Sequence, residues 1–381
     1  MKKTLLVGMV LAAAACWAAN PRVNITGIAQ SKFSVSVNVA NSDFAKCLAK
    51  NLELSGVFSV AKDGSIQVMG SAGSIVAEGS GKRISSSETF ADAKSARMAA
   101  RKFSDAMVAA WGQQKGFACD KIAFLCHGKQ RAVGTALPGD ICTCYPDGFD
   151  IRRLTNDGKM SIFPRWKGDS ILFISDRRGA PQIWELNTTT EQARLKWSFR
   201  GTPTGIAVSP DGSKVAAILS FQGNPELYVL EGDRYTRLTT TKFDVEGQPT
   251  WSPDGKKIAF VRGDKTQQIW VIDVATKQER RLTSVGRQNL DPDWGPDGRI
   301  TYITRRGGAQ VAVMKPADGD KSAQLVTEAA NWEHPSWSRD GRHVTANRDR
   351  ALFVIDTLEG GDAPRRMFFA DGDWISPCWS R

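Results

Sequence analysis

The last two thirds of the chain alternate short apolar runs with polar turns, and this pattern repeats. Each period contains the unit Pro-x-Trp, or in one period a Val in the Trp position, followed by a polar turn. The six anchor residues are spaced 42, 43, 43, 43 and 42 residues apart and are Trp166, Val208, Trp251, Trp294, Trp337 and Trp379. A repeat of this length and regularity indicates a series of similar structural units.

Within one period the hydrophobic pattern predicts four short strands. In the third period, Thr250-Trp251 begins the first strand, and residues 252–255 carry the Asp-Gly chemistry of a tight hairpin turn. Apolar runs at 257–262 and 268–274 predict the second and third strands, and residues 279–282 predict the fourth. Four strands per ~40–45 residues are typical of a β-propeller blade.

The sixth period predicts that the ring closes on itself. Trp379 is followed by only two residues, so this period lacks three of its strands. Three strand candidates precede the first anchor, at residues 121–126, 140–144 and 150–154. We therefore predict a six-bladed β-propeller over residues 117–381, closed by pairing of the C-terminal strand with strands from residues 121–155. Such pairing leaves no open sheet edge, and the alternative is an open array of blades.

The pattern changes over residues 19–116 and predicts a small N-terminal α/β domain. Because the predicted propeller is much larger, the whole protein is predicted to be mainly β. Residues 33–40 alternate apolar and polar positions, which predicts a strand. Two further strands are predicted at 66–69 and 74–77, and two helices at 43–54 and about 91–111. Ser42 is predicted to cap the first helix, and Gly116 marks the boundary with the propeller.

The first residues predict an export signal. A basic start at Met1-Lys2-Lys3 precedes an apolar run over residues 5–19 that ends in small residues. This run is short for a membrane span, which needs about 20 apolar residues, so we predict a signal peptide over residues 1–18. Two alternatives are a transmembrane anchor and lipid attachment at Cys16.

The composition gives little support to enzymatic or metal chemistry. There are three His residues, at 127, 334 and 343, and neither a Gly-x-Ser-x-Gly nor a His-Glu-x-x-His motif. We therefore predict no catalytic residues, no cofactor and no metal site. Lys and Arg exceed Asp and Glu by 51 − 40 = 11 charges. These charges are scattered without an aromatic ladder, which favours an acidic protein or the anionic envelope over nucleic acid as a partner. The alternative is a solvated basic surface without a partner.

Four Cys residues are predicted to lie in the closing blade: Cys126, Cys142, Cys144 and Cys378. Cys142 and Cys144 share one face of a strand, and the other two are expected on neighbouring strands. A zinc or redox site, packed thiols and a single disulfide are the alternatives.

Taken together, these parts resemble the TolB family over nearly the whole mature chain. The most specific elements are the Pro-x-Trp-Ser-Pro-Asp-Gly units and the ending DGDWISPCWS at 371–380. In the N-terminal domain, VNITG at 23–27 and LELSGVF at 52–58 are similar to the family pattern. ARKFSD at 100–105 corresponds to a stretch in which the family has His where this chain has Arg101.

The resemblance implies a periplasmic, non-enzymatic component of the Tol–Pal system, which supports outer-membrane integrity and envelope constriction in cell division. It implies two partners: the lipoprotein Pal, bound by the propeller, and TolA, bound by the mature N-terminal segment. The protein would be peripheral to the envelope and not membrane-spanning. The alternative functions are an exported propeller enzyme and a propeller that binds glycans or small ligands.

The Pal-binding face is expected in the loops just before each Pro-x-Trp, around the channel mouth. The resemblance assigns contacts to Thr202, Gly205, Gly247 and Gln248, and nearby candidates are Asp244, Glu246, Asn289, Asp291, Asn331, Glu333 and His334. The expected TolA-binding residues are Pro21, Arg22, Val23, Asn24 and Ile25, where Val-x-Ile can add a strand to another sheet edge. The alternatives are polar residues that only cap strands, and an N-terminal segment that forms the first strand of its own domain.

Overall fold

The computed structural model describes residues 32–127, 139–221, 223–242, 244–263, 265–358, 364–368 and 373–380. The predicted signal peptide, Cys16 and the predicted TolA-binding segment at 21–25 lie outside the described residues. Within the described part of the chain, no helix is long and apolar enough to cross a membrane.

The N-terminal domain combines one five-stranded sheet with two helices. Its elements are β1 (Phe33–Val39), α1 (Ser42–Leu54), β2 (Phe58–Val60), β3 (Ile66–Ser71), β4 (Ser74–Gly79), β5 (Lys82–Ser86) and α2 (Ala93–Met107), which a π-helical turn (Val108–Gly112) continues. The sheet order is β2-β1-β3-β4-β5, with β2 and β3 parallel to β1. Phe44 and Leu48 of α1 and Phe103 of α2 pack with the sheet in a single core.

Capping side chains set where the two helices begin. Asn41 caps α1, and not Ser42 as predicted, because the Asn41 side chain accepts a 2.9 Å hydrogen bond from the Phe44 N–H. Asp92 caps α2 by accepting a 2.7 Å hydrogen bond from the Ser95 N–H, so this helix begins two residues after its predicted start at about 91. The two helices and the predicted strands are confirmed, whereas the edge strands β2 and β5 were not predicted.

The propeller has six four-stranded sheets, as predicted. Blades 1 to 3 are β9–β12 (Ser161–Lys167, Ser170–Ser175, Gln182–Asn187, Ala193–Trp197), β13–β16 (Thr202–Val208, Val215–Ser220, Glu226–Glu231, Arg234–Arg237) and β17–β20 (Val245–Trp251, Lys257–Arg262, Gln268–Asp273, Glu279–Arg281). Blades 4 and 5 are β21–β24 (Gln288–Trp294, Ile300–Arg305, Ala309–Met314, Gln324–Leu325) and β25–β28 (Trp332–Trp337, His343–Arg348, Ala351–Asp356, Arg365–Arg366). A short 3-10 helix (Gly319–Ser322) precedes β24.

Blade 6 is assembled from both ends of the propeller, which confirms the predicted closure. Its sheet order is β29-β6-β7-β8, from Asp373–Trp379, Ile122–His127, Asp140–Cys144 and Arg152–Arg153. Trp379 pairs with Ile122 and Ile375 with Leu125, in antiparallel register. The Trp379 side chain is only 1% exposed, so the C-terminal strand contributes a large buried ring to the closing blade.

A threonine clasp ties the outermost strand of several blades to the third strand. In blade 3, Thr283 Oγ1 accepts a 2.9 Å hydrogen bond from the Ile269 N–H, and Arg281 Nε donates to the Thr283 carbonyl at 2.6 Å. Thr239 in blade 2 and Thr155 in blade 6 make the same two contacts. The Arg-Leu-Thr triplet that encodes this clasp recurs at 153–155, 237–239 and 281–283 and was not predicted.

A buried charge cluster joins the N-terminal domain to blade 6. Arg101 of α2 is 0% exposed, and it donates to Asp147 from Nε at 2.8 Å and from Nη2 at 3.1 Å. Asn51 of α1 donates to the same carboxylate at 2.8 Å, and the Arg101 guanidinium stacks 3.7 Å from the centre of the Tyr145 ring. Arg101 is the residue at which this chain departs from the family's His, and here it anchors the domain interface.

The linker between the domains packs against the closing blade. The Phe117 ring lies 4.5 Å from the His343 ring and 5.5 Å from the Trp379 ring, measured between centroids. Asp120 is 8% exposed and lies 3.7 Å from Arg339. Burial raises the pKa of Asp120 to about 7, although the Arg339 charge opposes the shift.

Cys126 and Cys142 form a disulfide that crosslinks β6 and β7. Cys144 and Cys378 are buried free thiols, and burial raises the pKa of the Cys144 thiol. Of the alternatives for the four Cys residues of the closing blade, the structure contains the single disulfide. Among the described residues, no group of three or more His, Cys, Asp or Glu side chains could hold a metal ion.

Candidate functional site

The inner strands β29, β9, β13, β17, β21 and β25 surround a channel with two different mouths. Each inner strand begins where the chain crosses from the preceding blade and ends in the turn that follows its anchor. We call these two ends the crossover face and the turn face. The N-terminal domain lies on the turn face, because Arg101 contacts Asp147 in the turn after β7. The linker that follows this domain contacts Arg339 and His343 beside the turn after β25, which is on the same face.

Every inner strand contains a β-bulge just before its anchor, where its register with the second strand shifts. Five bulges include a residue with left-handed backbone, φ between 49° and 71°: Phe163, Gly247, Asp291, His334 and Ser376. In all six strands a Pro lies in or beside the bulge, and Pro has no N–H to donate to the ladder. Bulges re-aim side chains, so residues that a regular strand would direct elsewhere line the channel.

The sixth bulge, in β13, depends on a glycine. A Cβ atom at Gly205 would lie 2.2 Å from the carbonyl oxygen of Gly247 in the next blade. No larger side chain fits this position without displacing the backbone of blade 3. Gly205 therefore sets the spacing between two neighbouring inner strands.

Hydrogen bonds from blade to blade fix the inner ring. The residue before one anchor accepts the backbone N–H of the next anchor: Thr250 from Trp294 at 3.0 Å, Asp293 from Trp337 at 2.7 Å, and Ser336 from Trp379 at 3.1 Å. These contacts link blades 3, 4, 5 and 6 in series and hold the channel-lining Thr250, Asp293 and Ser336 in fixed positions.

Four polar side chains meet at mid-strand level, and we call Arg165, Gln248, Asp291 and His334 the polar floor. Arg165 Nη2 of blade 1 donates to Gln248 Oε1 of blade 3 at 2.8 Å. Asp291 Oδ2 of blade 4 lies 3.3 Å from His334 Nδ1 of blade 5. The floor therefore has a cationic side at blades 1 and 3 and an acidic side at blade 4.

A cavity of about 500 Å³ lies between the polar floor and the turn face. This volume is within the usual range for small-molecule sites, about 300–1,000 Å³. Its lining includes the half-buried Trp166 and the exposed turn prolines Pro210, Pro253 and Pro296. The side chains of Trp251, Trp294, Trp337 and Trp379 are at most 6% exposed and pack into the blade cores, so they add little surface to the cavity. The arrangement is a cup with apolar surface near the turns and charged groups at its base.

The predicted Pal-face residues occupy inner strands or the residues just before them, and not loops as predicted. Thr202, Asp244, Asn331 and Glu333 are exposed, and Glu246, Gly247, Asp291 and His334 are half-buried. Gly205, Gln248 and Asn289 are buried. The prediction placed these residues in the connections from an outer strand to the next inner strand, whereas the inner strands begin earlier and include the Gly and Pro residues as bulges.

The buried residues of this set have structural partners. Asn289 donates to Gln268 Oε1 at 2.9 Å and to the Val285 carbonyl at 3.0 Å, and it is 0% exposed. Gln248 belongs to the polar floor. The residues exposed on the crossover face are therefore the ones that a macromolecular partner can touch.

The prediction missed Arg165 and Asp293, the residues that precede two of the anchors. Both line the cavity, together with Thr250 and Ser336 at the same position of their own blades. The repeat could have indicated these residues. Each is the variable residue of a Pro-x-Trp unit, and the structure places that position at the channel.

Comparison with known proteins assigns the propeller to a family. Residues 111–381 match the family model described as the TolB beta propeller domain. The chain is 29% identical over 148 residues to the protein TolB homolog of Chlorobium luteolum, an alignment covering 37% of this chain and 33% of that protein. It is 30% identical over 95 residues to the Tol-Pal system protein TolB of Desulfosudis oleivorans, covering 24% and 22%. The chain thus spans about a third or less of the length of these relatives.

Two solved structures share the fold. TolB from Acinetobacter baumannii superposes with a TM-score of 0.76 at 19% identity and covers 92% of this chain and 96% of its own. A putative TolB from Agrobacterium tumefaciens has a TM-score of 0.53 at 20% identity and covers 66% and 89%. The first of these includes the N-terminal domain as well as the propeller, because it covers nearly the whole chain.

Proposed function

Because the chain belongs to the TolB beta propeller family, we propose that it is a periplasmic, non-enzymatic component of a Tol–Pal system. In this role it binds a Pal-like lipoprotein through the propeller and a TolA-like protein through its mature N-terminus, and it supports outer-membrane integrity and envelope constriction in cell division. The observation that carries the proposal is the family match over the entire propeller. The Tol-Pal name of the Desulfosudis oleivorans relative supports the same system.

The crossover face is the proposed Pal-binding surface. Asp244, Asn331, Glu333 and Thr202 are exposed there in blades 2, 3 and 5, around one channel mouth. Asn331 and Glu333 are held by 2.9 and 3.0 Å hydrogen bonds to Asp349 and Asn347, so their positions are fixed before a partner arrives. Preorganised polar groups around a concavity favour specific protein recognition. The N-terminal domain leaves this mouth open because it lies on the turn face.

Charge reversal on the crossover face tests this surface. The double variant Asp244→Lys with Glu333→Lys should weaken binding of a Pal-like lipoprotein at least tenfold, measured by titration calorimetry. The matched control is Glu231→Lys with Asp233→Lys, which reverses two exposed charges in a turn on the opposite face. Equal affinity for the folded crossover variant and the control would reject the crossover face as the binding surface.

The second proposed contact uses the mature N-terminal segment, residues 21–25. Its Val-x-Ile pattern supports addition of a strand to the sheet edge of a TolA-like protein. Deleting residues 20–24 should abolish this binding and leave the affinity for the Pal-like lipoprotein unchanged. Wild-type affinity for the TolA-like protein after the deletion would contradict the proposal.

Export to the periplasm is part of the proposed function. The predicted signal peptide supports it, and so does the Cys126–Cys142 disulfide, since disulfides persist in oxidising compartments. Fractionation of cells that express the chain, with mass analysis of the mature N-terminus, tests both export and cleavage after Ala18. A mature chain that begins with a lipid-modified Cys16 would instead show that the protein is anchored to a membrane by a lipid.

A further inference from the structure

The cavity on the turn face is separate from the proposed partner surface. The polar floor closes it toward the crossover face, and its lining continues to Pro210, Pro253 and Pro296 in the turns. A ligand that enters from the turn face therefore does not compete for the exposed residues of the crossover face.

The base of the cavity offers hydrogen-bond donors on one side. Gln248 is 3% exposed, and among the described residues its Nε2 atom has no hydrogen-bond partner, while its Oε1 accepts from Arg165. An unpaired buried amide N–H is unfavourable, so a ligand acceptor that reaches it gains affinity. The Arg165 guanidinium beside it adds a fixed positive charge. A carboxylate is the group that both donors recognise.

The base offers an acceptor on the other side. Asp291 uses Oδ2 for both of its contacts with His334, to the backbone N–H at 3.4 Å and to Nδ1 at 3.3 Å. Its Oδ1 atom points toward blade 3, 3.9 Å from where a Cβ at Gly247 would lie. An ammonium group can therefore approach Oδ1 next to the donors of Arg165 and Gln248.

The walls select for an apolar body. Trp166 and the turn prolines Pro210, Pro253 and Pro296 present apolar surface above the floor. A bare metal ion does not match this site, because Arg165 repels it. An inorganic anion leaves both Asp291 and this apolar surface without a role.

We propose that this cavity binds a small zwitterion with an apolar side chain, either a free amino acid or a dipeptide. The carboxylate binds Arg165 and Gln248 Nε2, the ammonium binds Asp291 Oδ1, and the side chain packs against Trp166 and the turn prolines.

The experiment compares four ligands on the full mature chain by titration calorimetry. L-leucine and the dipeptide leucyl-leucine carry both charges, whereas N-acetyl-leucine lacks the ammonium and leucinamide lacks the carboxylate. At least one of the two zwitterions should bind ten times or more tighter than either single-charge analogue, and the preference between the two zwitterions identifies the ligand length. Absence of binding by all four, or equal binding by all four, would overturn the proposal.

Two floor variants separate recognition from a structural role. Arg165→Gln should weaken binding of the zwitterion and of N-acetyl-leucine tenfold or more, and leave leucinamide unchanged. Asp291→Asn should weaken binding of the zwitterion and of leucinamide tenfold or more, and leave N-acetyl-leucine unchanged. Arg234→Gln, which removes an exposed Arg on the outer strand of blade 2, is the matched control and should change none of them. Equal losses for all ligands in both floor variants would show a structural role only and refute the assigned contacts.

Discussion

Blades 3 and 6 have the same four-stranded sheet and the same threonine clasp, but they are held together differently. Blade 3 is one continuous segment from Val245 to Arg281, whereas blade 6 pairs β29 with strands that precede it by about 250 residues in sequence. Blade 6 alone contains the disulfide, and the Arg101–Asp147 cluster attaches the N-terminal domain to it. Blade 3 has neither crosslink.

The difference follows from chain entropy. The entropic free energy of bringing two segments together grows with the length of chain between them, by roughly 0.6 kcal/mol for each doubling. Hairpin turns keep the strands of blade 3 close, whereas β29 and β6 are separated in sequence by all the other blades. The disulfide joins β6 to β7, and the Arg101–Asp147 cluster holds the turn after β7. Both crosslinks therefore stabilise the sheet with which β29 pairs, although neither includes β29 itself.

The largest effect should come from deleting the last eight residues, 374–381, which removes most of β29. Losing one buried Trp typically reduces stability by ~3–5 kcal/mol, a large part of a typical ~5–15 kcal/mol. The deletion also exposes the edge of β6 and the apolar seam around Trp379. We expect a sharply lower melting temperature and aggregation, measured by circular dichroism and light scattering. Trimming Arg381 alone is the control, and a deletion that melts like the full chain would refute closure by β29.

The next largest effect should come from Asp147→Ala in the interdomain cluster. This change removes the Asp147 contacts of the buried Arg101 and leaves Asp150, 2.8 Å from its Nη1 atom, as the remaining carboxylate partner. We therefore expect a loss toward the lower end of the ~3–5 kcal/mol that is typical for a broken buried ion pair. The matched control is Asp254→Ala in blade 3, whose carboxylate accepts from Ser252 in an exposed turn, with a loss of about 1 kcal/mol. Urea unfolding gives both values. Adding Arg101→Met to Asp147→Ala should recover part of the loss, and no recovery would argue against an uncompensated charge as the cause.

Removing the disulfide should have the third largest effect. Cys126 and Cys142 are 16 residues apart, and closing a loop of this size stabilises by about 3 kcal/mol. The double variant Cys126→Ser with Cys142→Ser should lose this amount in urea unfolding, and reductant should lower the wild type to the same value. Reductant should not affect the double variant. A wild type that is insensitive to reductant would show that the crosslink does not stabilise blade 6.

The fold was largely predictable because its signals are local and repeated. The six anchors and the Asp-Gly turns fix the blade count, and the position of Trp379 near the end implies closure. The bulges were not predictable in the same way, because Gly247 and Pro249 within β17 look like loop residues when only the local sequence is considered. Their strand conformation depends on pairing with β18.

The candidate sites were less predictable because they depend on contacts between distant residues. Arg165 and Gln248 are 83 residues apart and meet only because the ring brings blades 1 and 3 together. Arg101 stands out in the sequence as a departure from the family pattern, but nothing in the sequence indicates its partners Asp147 and Asp150. A buried ion pair between domains has no local sequence signature.

The fourth effect is a pH dependence that Asp120 gives to the closing region. Burial raises the pKa of Asp120 to about 7 in the folded chain, against roughly 3.9 when unfolded. Between about pH 4 and 7 the Asp120 carboxyl is therefore more often protonated in the folded chain than in the unfolded chain. As pH rises through this range, Asp120 lowers the free energy of unfolding. Between pH 5 and 7 the loss should be about 2 kcal/mol.

Comparison with Asp120→Asn isolates this contribution from the other charges that face it, Arg339, Asp105 and Asp340. The variant cannot ionise at this position, so the wild type should lose stability relative to it as pH rises from 5 to 7. Urea unfolding at three pH values gives the difference. A difference that stays constant over this range would contradict a raised pKa for Asp120.

The smallest effect compares the clasp that the two blades share. Thr283→Val in blade 3 and Thr155→Val in blade 6 each leave a buried N–H, of Ile269 or Ile141, without its acceptor. Each should reduce stability by about 1 kcal/mol in urea unfolding, because the hydrogen bonds are 2.9 Å in both blades. Thr276→Val in an exposed turn of blade 3 is the control and should cause a smaller change. Similar losses in the two blades would show that the clasp contributes equally to both. If Thr155→Val reduced stability far more than Thr283→Val, the clasp would stabilise blade 6 more than blade 3. The disulfide and the interdomain cluster would then not account for the difference between the two blades.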